Sequence, residues 1–153
     1  MQSRGRSSFV PLVPRNEARK FESGGTPHWL GAVGLKAAIS SILEQGIETI
    51  EQRCRELLDR LRKNLYEIGL GEHILGSNRE KTVSSILTFS LPGGLEMERQ
   101  LLQKLEKENV FVSLRSINGI GGIRVSPYHT NTMEDIDRLT EMTEHLTKRS
   151  LRG

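Results

Sequence analysis

One cysteine, Cys54, stands among these 153 residues. A single thiol makes neither an internal disulfide nor a thiolate metal cluster, and such usage suits a reducing, cytoplasmic setting. Long apolar runs are missing as well. None approaches the roughly 18 residues that a membrane-crossing helix needs, so a membrane span is excluded. The apolar stretch Ser7 to Val13 is short and interrupted by Pro11, unlike the core of a secretory leader. Aromatic residues make up 5% of the chain and hydrophobic residues 35%. That supply is thin for a self-contained globule and points to a small core or a face that packs on further protein. The four histidines, His28, His73, His129 and His145, have no metal-ligand spacing, so no metal site is expected and each reads as an exposed or capping residue.

The formal charge of +3 belongs to the ends. Residues 1–20 carry +4 and residues 148–153 carry +3, leaving −4 for residues 21–147. Basicity in tails rather than on a folded face argues against a nucleic-acid groove.

Taken in order, residues 1–20 read as a flexible lead-in, rich in Arg and Ser and without periodicity. Phe21 to Leu35, FESGGTPHWLGAVGL, passes through Gly24-Gly25 into an apolar helix. Thr26 suits its N-cap and Pro27 its first helical position. Backbone N–H groups gathered at such a start can hold an anion, commonly a phosphate; an ordinary capped helix fits the same residues. The helix runs to about Gln45, and its Gly31 and Gly34 suggest close packing against another element. Ile47 to Ile68 carries the clearest periodicity: Ile47, Ile50, Cys54, Leu57, Leu58, Leu61, Leu65 and Ile68 against a charged opposite face. Cys54 falls on the apolar stripe, which marks it as structural.

Further on, Thr82–Leu91 reads as a strand and Leu95–Lys107 as a helix. Val110–Arg115 and Gly122–Ser126 read as strands around the tight-turn pair Asn118-Gly119. Thr132 with Asp135 suggests a capping box opening a last helix to about His145. The fold class that follows is α+β: two N-terminal helices, one long, then strand–helix–strand–strand–helix, with a short, mainly antiparallel sheet carrying helices on one face. Gly119-Ile120-Gly121-Gly122 is not a dinucleotide loop, because no helix follows it.

For chemistry the residues single out Arg124, which alternation in Ile123-Arg124-Val125-Ser126 puts on one side of a strand with Ser126. A planar guanidinium fixed on a strand can grip a carboxylate through two parallel hydrogen bonds. An edge-strand surface arginine fits the same pattern. Tyr128 and His129 follow this strand and could border a pocket.

Two stretches together resemble the C-terminal part of class V aminotransferases, the pyridoxal-phosphate enzymes that include cysteine desulfurases and isopenicillin-epimerase-like proteins. They are Phe21-Glu22-Ser23-Gly24-Gly25-Thr26-Pro27 and Arg124-Val125-Ser126 followed by Asn131-Thr132-Met133-Glu134-Asp135. The resemblance runs from about Phe21 to Leu146. It implies a lead-in at 1–20, a family domain over 21–147 and a basic tail at 148–153. Within the domain, 21–46 would pack on a large cofactor domain, and 47–147 would form the long linking helix and the small domain.

The same resemblance assigns Arg124 and Arg115 to an amino-acid substrate. It assigns Gly24, Gly25 and Thr26 to the phosphate of pyridoxal 5′-phosphate, across a homodimer. Two residues depart from the family pattern: a second glycine in the loop, and His28 where asparagine is common. The imine lysine belongs to the family's large domain and no lysine here matches it, so the chain is expected to hold no catalytic residue and to be inactive alone. Ser116 to Gly122 lacks the cysteine that desulfurases carry there, which directs the resemblance to the epimerase-like branch. The other reading is a free-standing, non-catalytic module whose helix around Trp29 docks on a separate partner.

Overall fold

The computed structural model describes residues 16–17, 27–76 and 84–150. Contacts divide the chain into two units that meet within the first helix, between Ile39 and Ser40.

In the first unit the described structure is the start of α1, Trp29–Gln45. Thr26, expected to cap this helix, lies outside the described residues. His28 takes the capping role: the Gly31 N–H donates to its Nδ1 at 2.9 Å, and its ring fills the space a side chain at position 31 would need. That tight fit within the helix start accounts for Gly31, in place of the packing partner expected from the sequence. At Gly34 no atom lies within 4 Å of where a side chain would begin. No residue of α1 is buried.

The second unit holds the core. Helix α2, Ile47–Glu67, follows the expected stripe and buries Cys54, Leu57, Leu58, Leu61, Asn64 and Leu65. A single 3-10 turn, Gly71–His73, leads into β1, Ile74–Leu75. Then come β2 (Leu87–Phe89), α3 (Gly94–Lys107), β3 (Ser113–Ile117), β4 (Ile120–Val125) and α4 (Met133–Ser150). The strands form one antiparallel sheet in the order β1-β2-β4-β3. This is the expected α+β architecture with one short strand more. The core joins Leu57, Leu58, Leu61 and Leu65 of α2 to Leu87, Phe89, Ile123 and Val125 of the sheet, Leu101 and Leu105 of α3, and Ile136 and Leu139 of α4.

Polar groups fix the helices in place. Arg60 of α2 donates two hydrogen bonds to Asp137 of α4, at 2.8 and 2.9 Å. Asn64 donates to Asp137 Oδ1 at 2.8 Å and to Thr140 Oγ1 at 3.1 Å. The capping box opens α4 as expected: Asp135 N–H donates to Thr132 Oγ1 and Thr132 N–H to Asp135 Oδ2, at 3.2 and 2.9 Å. The Thr132 N–H leads the causes that hold the Asp135 carboxyl below its usual range, with the Asn131 amide next.

Candidate carboxylate-binding face

The site is built by strand pairing. Arg124 of β4 stands opposite Thr88 of β2 on one side and Ser113 of β3 on the other. The next row on the same face pairs Gly122 with Arg115, and the last pairs Ile120 with Ile117. Side chains alternate between faces along a strand, so Arg124, Thr88, Ser113, Arg115, Ile117 and Ile120 share one face. Leu87, Phe89, Ile123 and Val125 point the other way, into the helices, and are buried. The polar face is the one opposite the packing of α2, α3 and α4.

Two local features shape it. Asn118 and Gly119 both have positive φ, 53° and 79°, as a two-residue hairpin turn of the primed type requires. That turn fixes Ile117 opposite Ile120 and so sets the register that brings Arg115 and Arg124 to the same face. At Gly122 a side chain would collide with the Phe89 carbonyl and the Ser90 backbone. Glycine here lets β2 leave the sheet across β4. Ser90 is held there by His73, whose carbonyl accepts from the Ser90 N–H at 2.9 Å and whose Nδ1 lies 3.2 Å from Ser90 Oγ.

Arg124 is half-buried, and its Nε is shut off from solvent with no hydrogen-bond acceptor among the described residues. A buried cationic donor left unmade is costly, of order 1–3 kcal/mol, so the position suits an incoming anion. Arg115 is exposed and, among the described residues, has no acidic partner.

Ser126, expected beside Arg124, lies past the end of β4 and turns instead toward a pocket of about 250 Å³ that includes Val112, Val125, Ile136 and Leu139. Neither arginine lines that pocket. Its charged groups are already engaged, Asp135 in the capping box and Arg138 with Glu108. Beyond β4, Asn131 Oδ1 accepts from the Tyr128 N–H at 2.9 Å, while Arg53 of α2 donates to the Asn131 carbonyl at 3.1 Å and ties the loop down. Tyr128 and His129 meet edge to face at 4.1 Å, and His129 Nδ1 is buried without a partner among the described residues. Sequence reasoning had no signal for the His73–Ser90 pair or for Thr88 and Ser113 as neighbours of Arg124, because long-range pairing creates those positions.

Residues 12–139 match the family model described as Aminotransferase class-V. The chain belongs to this family. It is 32% identical to a probable cysteine desulfurase of Xylella fastidiosa (strain Temecula1), over 95% of this chain and 35% of that protein. It is 26% identical to a probable cysteine desulfurase of Pyrococcus abyssi, over 88% of this chain and 34% of the relative. In fold it is similar to the apo structure of a cysteine desulfurase from Thermococcus onnurineus, with a TM-score of 0.74 at 24% identity, covering 86% of this chain and 34% of the other. The chain thus spans about a third of the length of these relatives.

The class V family depends on pyridoxal phosphate. Gly24, Gly25 and Thr26, expected at its phosphate, lie outside the described residues. The described lysines, Lys36, Lys63, Lys104, Lys107 and Lys148, all stand on helices, and the face that carries Arg124 is made of strand residues with no lysine among them. By its chemistry this face can take an anion, and it offers no amine for a covalent hold on the cofactor among the described residues. Cys54 is buried on α2, away from the hairpin at 116–122.

Proposed function

We propose that this chain is the C-terminal portion, chiefly the small domain, of a pyridoxal-phosphate enzyme acting on an amino acid, in the isopenicillin-epimerase-like branch and not the desulfurase branch. The observation that carries the reading is the buried, acceptorless Nε of Arg124 on the sheet face opposite the helices. Its guanidinium holds the substrate α-carboxylate, and Thr88 and Ser113 keep the strand position polar on both sides. Arg115 is the second substrate-binding group on that face. Bound in the complete enzyme, the cofactor supplies an electron sink for bonds at the substrate α-carbon.

Desulfuration needs a thiolate nucleophile near the substrate. Here the hairpin offers no cysteine and closes in two residues, Asn118 and Gly119, which supports the other branch. The exposed apolar residues of α1, with Trp29, Leu30, Val33 and Leu35 each more than 60% exposed, support packing on a large cofactor domain. Gly24, Gly25 and Thr26 then reach the cofactor phosphate of the partner subunit in a cytoplasmic homodimer.

In the complete enzyme, Arg124→Gln raises KM for the amino-acid substrate about 100-fold or more, the loss expected when a charge-assisted bidentate pair is removed. An unchanged kcat/KM sinks the assignment. The exposure of α1 also favours the alternative, a free-standing module that docks on a separate partner. A cofactor titration with borohydride trapping, run on the purified chain with and without a lysine-bearing large domain, separates the two. Trapping that appears only with that domain supports the fragment, whereas a lysine of this chain trapped alone defeats both.

A further inference from the structure

We infer that the substrate of this site carries a second carboxylate, and that Arg115 reads it. The inference rests on the assignment of Arg124 to the α-carboxylate and names the class of amino acid that follows from it: a dicarboxylic one.

The argument is one of register and charge. Arg115 is paired with Gly122, and Arg124, two residues further along β4, is paired with Ser113. The two arginines are therefore diagonal neighbours on one face, with Cα positions on the order of 7–8 Å apart. The row between β3 and β4 at that point contains no other side chain, since the residue opposite Arg115 is glycine. Like charges on neighbouring positions of adjacent strands disfavour each other, and an acid beside them offsets this. Among the described residues none is provided. Aspartate and glutamate are absent from β1 to β4, and neither arginine forms an ion pair among the described residues. Arg55 pairs with Glu51, Arg60 with Asp137 and Arg138 with Glu108, while Arg99 of α3 is exposed and unpaired among the described residues; what sets Arg115 apart is the second arginine on its diagonal.

A single carboxylate uses one guanidinium fork. It leaves the second cation facing the first without compensation. A ligand with two carboxylates a few bonds apart neutralises both and spans the diagonal. Beyond Arg115 the face ends in the exposed pair Ile117 and Ile120, so the charged part of the ligand is confined to the two arginine rows.

The test uses the 153-residue chain, with the arginine Nε–H signals followed by nuclear magnetic resonance during titration with succinate and, separately, with butyrate. Succinate is expected to shift both Arg115 and Arg124 and to bind about tenfold more tightly than butyrate, which shifts Arg124 alone. Arg115→Gln brings succinate down to the butyrate level and leaves butyrate unaffected. Equal affinities for the two acids, or an Arg115 signal that succinate does not move, overturn the inference. Arg124→Gln marks the other failure: if it leaves butyrate binding intact, the α-carboxylate assignment itself falls, whatever Arg115 does. Backbone spectra of both variants report whether the sheet is retained.

Discussion

Two consecutive helices of similar length, α1 and α2, meet opposite fates. Helix α1 is the more apolar and buries nothing; α2 is half charged and buries six residues, with Leu57, Leu61 and Leu65 fully enclosed. The difference shows that hydrophobic content alone does not place a helix. A stripe lets one face turn inward while the other meets water. Apolar residues all round a helix call for cover on all sides, and the described chain does not provide that cover. On the proposed reading, this contrast has a meaning: α2 serves the fold of the described domain, and α1 is the surface that would pack on further protein.

The contrast can be broken by truncation. Leu61→Ala is expected to destabilise the chain by about 2–5 kcal/mol, as for other fully buried leucines, while Leu35→Ala in α1 shifts it by no more than about 0.5 kcal/mol. Chemical denaturation of both variants checks this, and comparable losses would erase the distinction. Joined to the large domain, Leu35→Ala should become costly while Leu61→Ala changes little.

A smaller effect separates the two sides of the sheet. Gly122→Ala forces a methyl group against the Phe89 and Ser90 backbone and should cost about 1–3 kcal/mol. It should also weaken carboxylate binding, because it displaces the strand that carries Arg124. Retained affinity in a folded Gly122→Ala variant would mean that the crossing at Ser90 is irrelevant to the site.

The smallest effect concerns acid. The Arg60 hydrogen bond, then that of Asn64, holds the Asp137 carboxyl below its ordinary value. A carboxylate with a depressed folded-state pKa contributes stability above its unfolded pKa, near 4. That contribution is lost as pH falls through the folded value. Asp137→Asn should therefore flatten the stability profile below about pH 4, with the main difference from wild type at neutral pH. A parallel profile would detach the α2–α4 link from acid sensitivity.

Much of this was legible in the sequence, and the parts that were not have definite causes. The α2 stripe gave its helix to within one residue, because its middle, Leu57, Leu58, Leu61 and Leu65, is needed by the core, while Ile47 at its start stays exposed. The capping box at Thr132 and Asp135 was readable because it is local. Helix α4 runs past the expected end at His145, since Thr143 and Thr147 return their hydroxyl hydrogen bonds to carbonyls one turn back and so tolerate burial. The strand expected over Thr82–Leu91 pairs only across Leu87–Phe89 among the described residues. β1 is two residues long, too short for any alternation to register. Val110–Arg115 was expected as a strand, and the paired segment is shifted to Ser113–Ile117 because the Asn118-Gly119 turn dictates which residues face each other. At the site, Arg124 was visible from its strand alternation and from the motif it completes. The placing of Arg115 beside it was not, because a diagonal between strands is a product of register and has no signature along the chain.

Arg115 also lies on the outermost strand of the described sheet, where one row of backbone hydrogen-bonding groups has no strand partner among the described residues. A charge in the middle of such a margin discourages a foreign strand from adding itself there. On the role inferred for Arg115, ligand selection and protection of this margin share one side chain. Any substitution that neutralises Arg115 leaves Ser-Leu-x-Ser-Ile as an uncharged strip running into Ile117, and would set substrate preference against self-association.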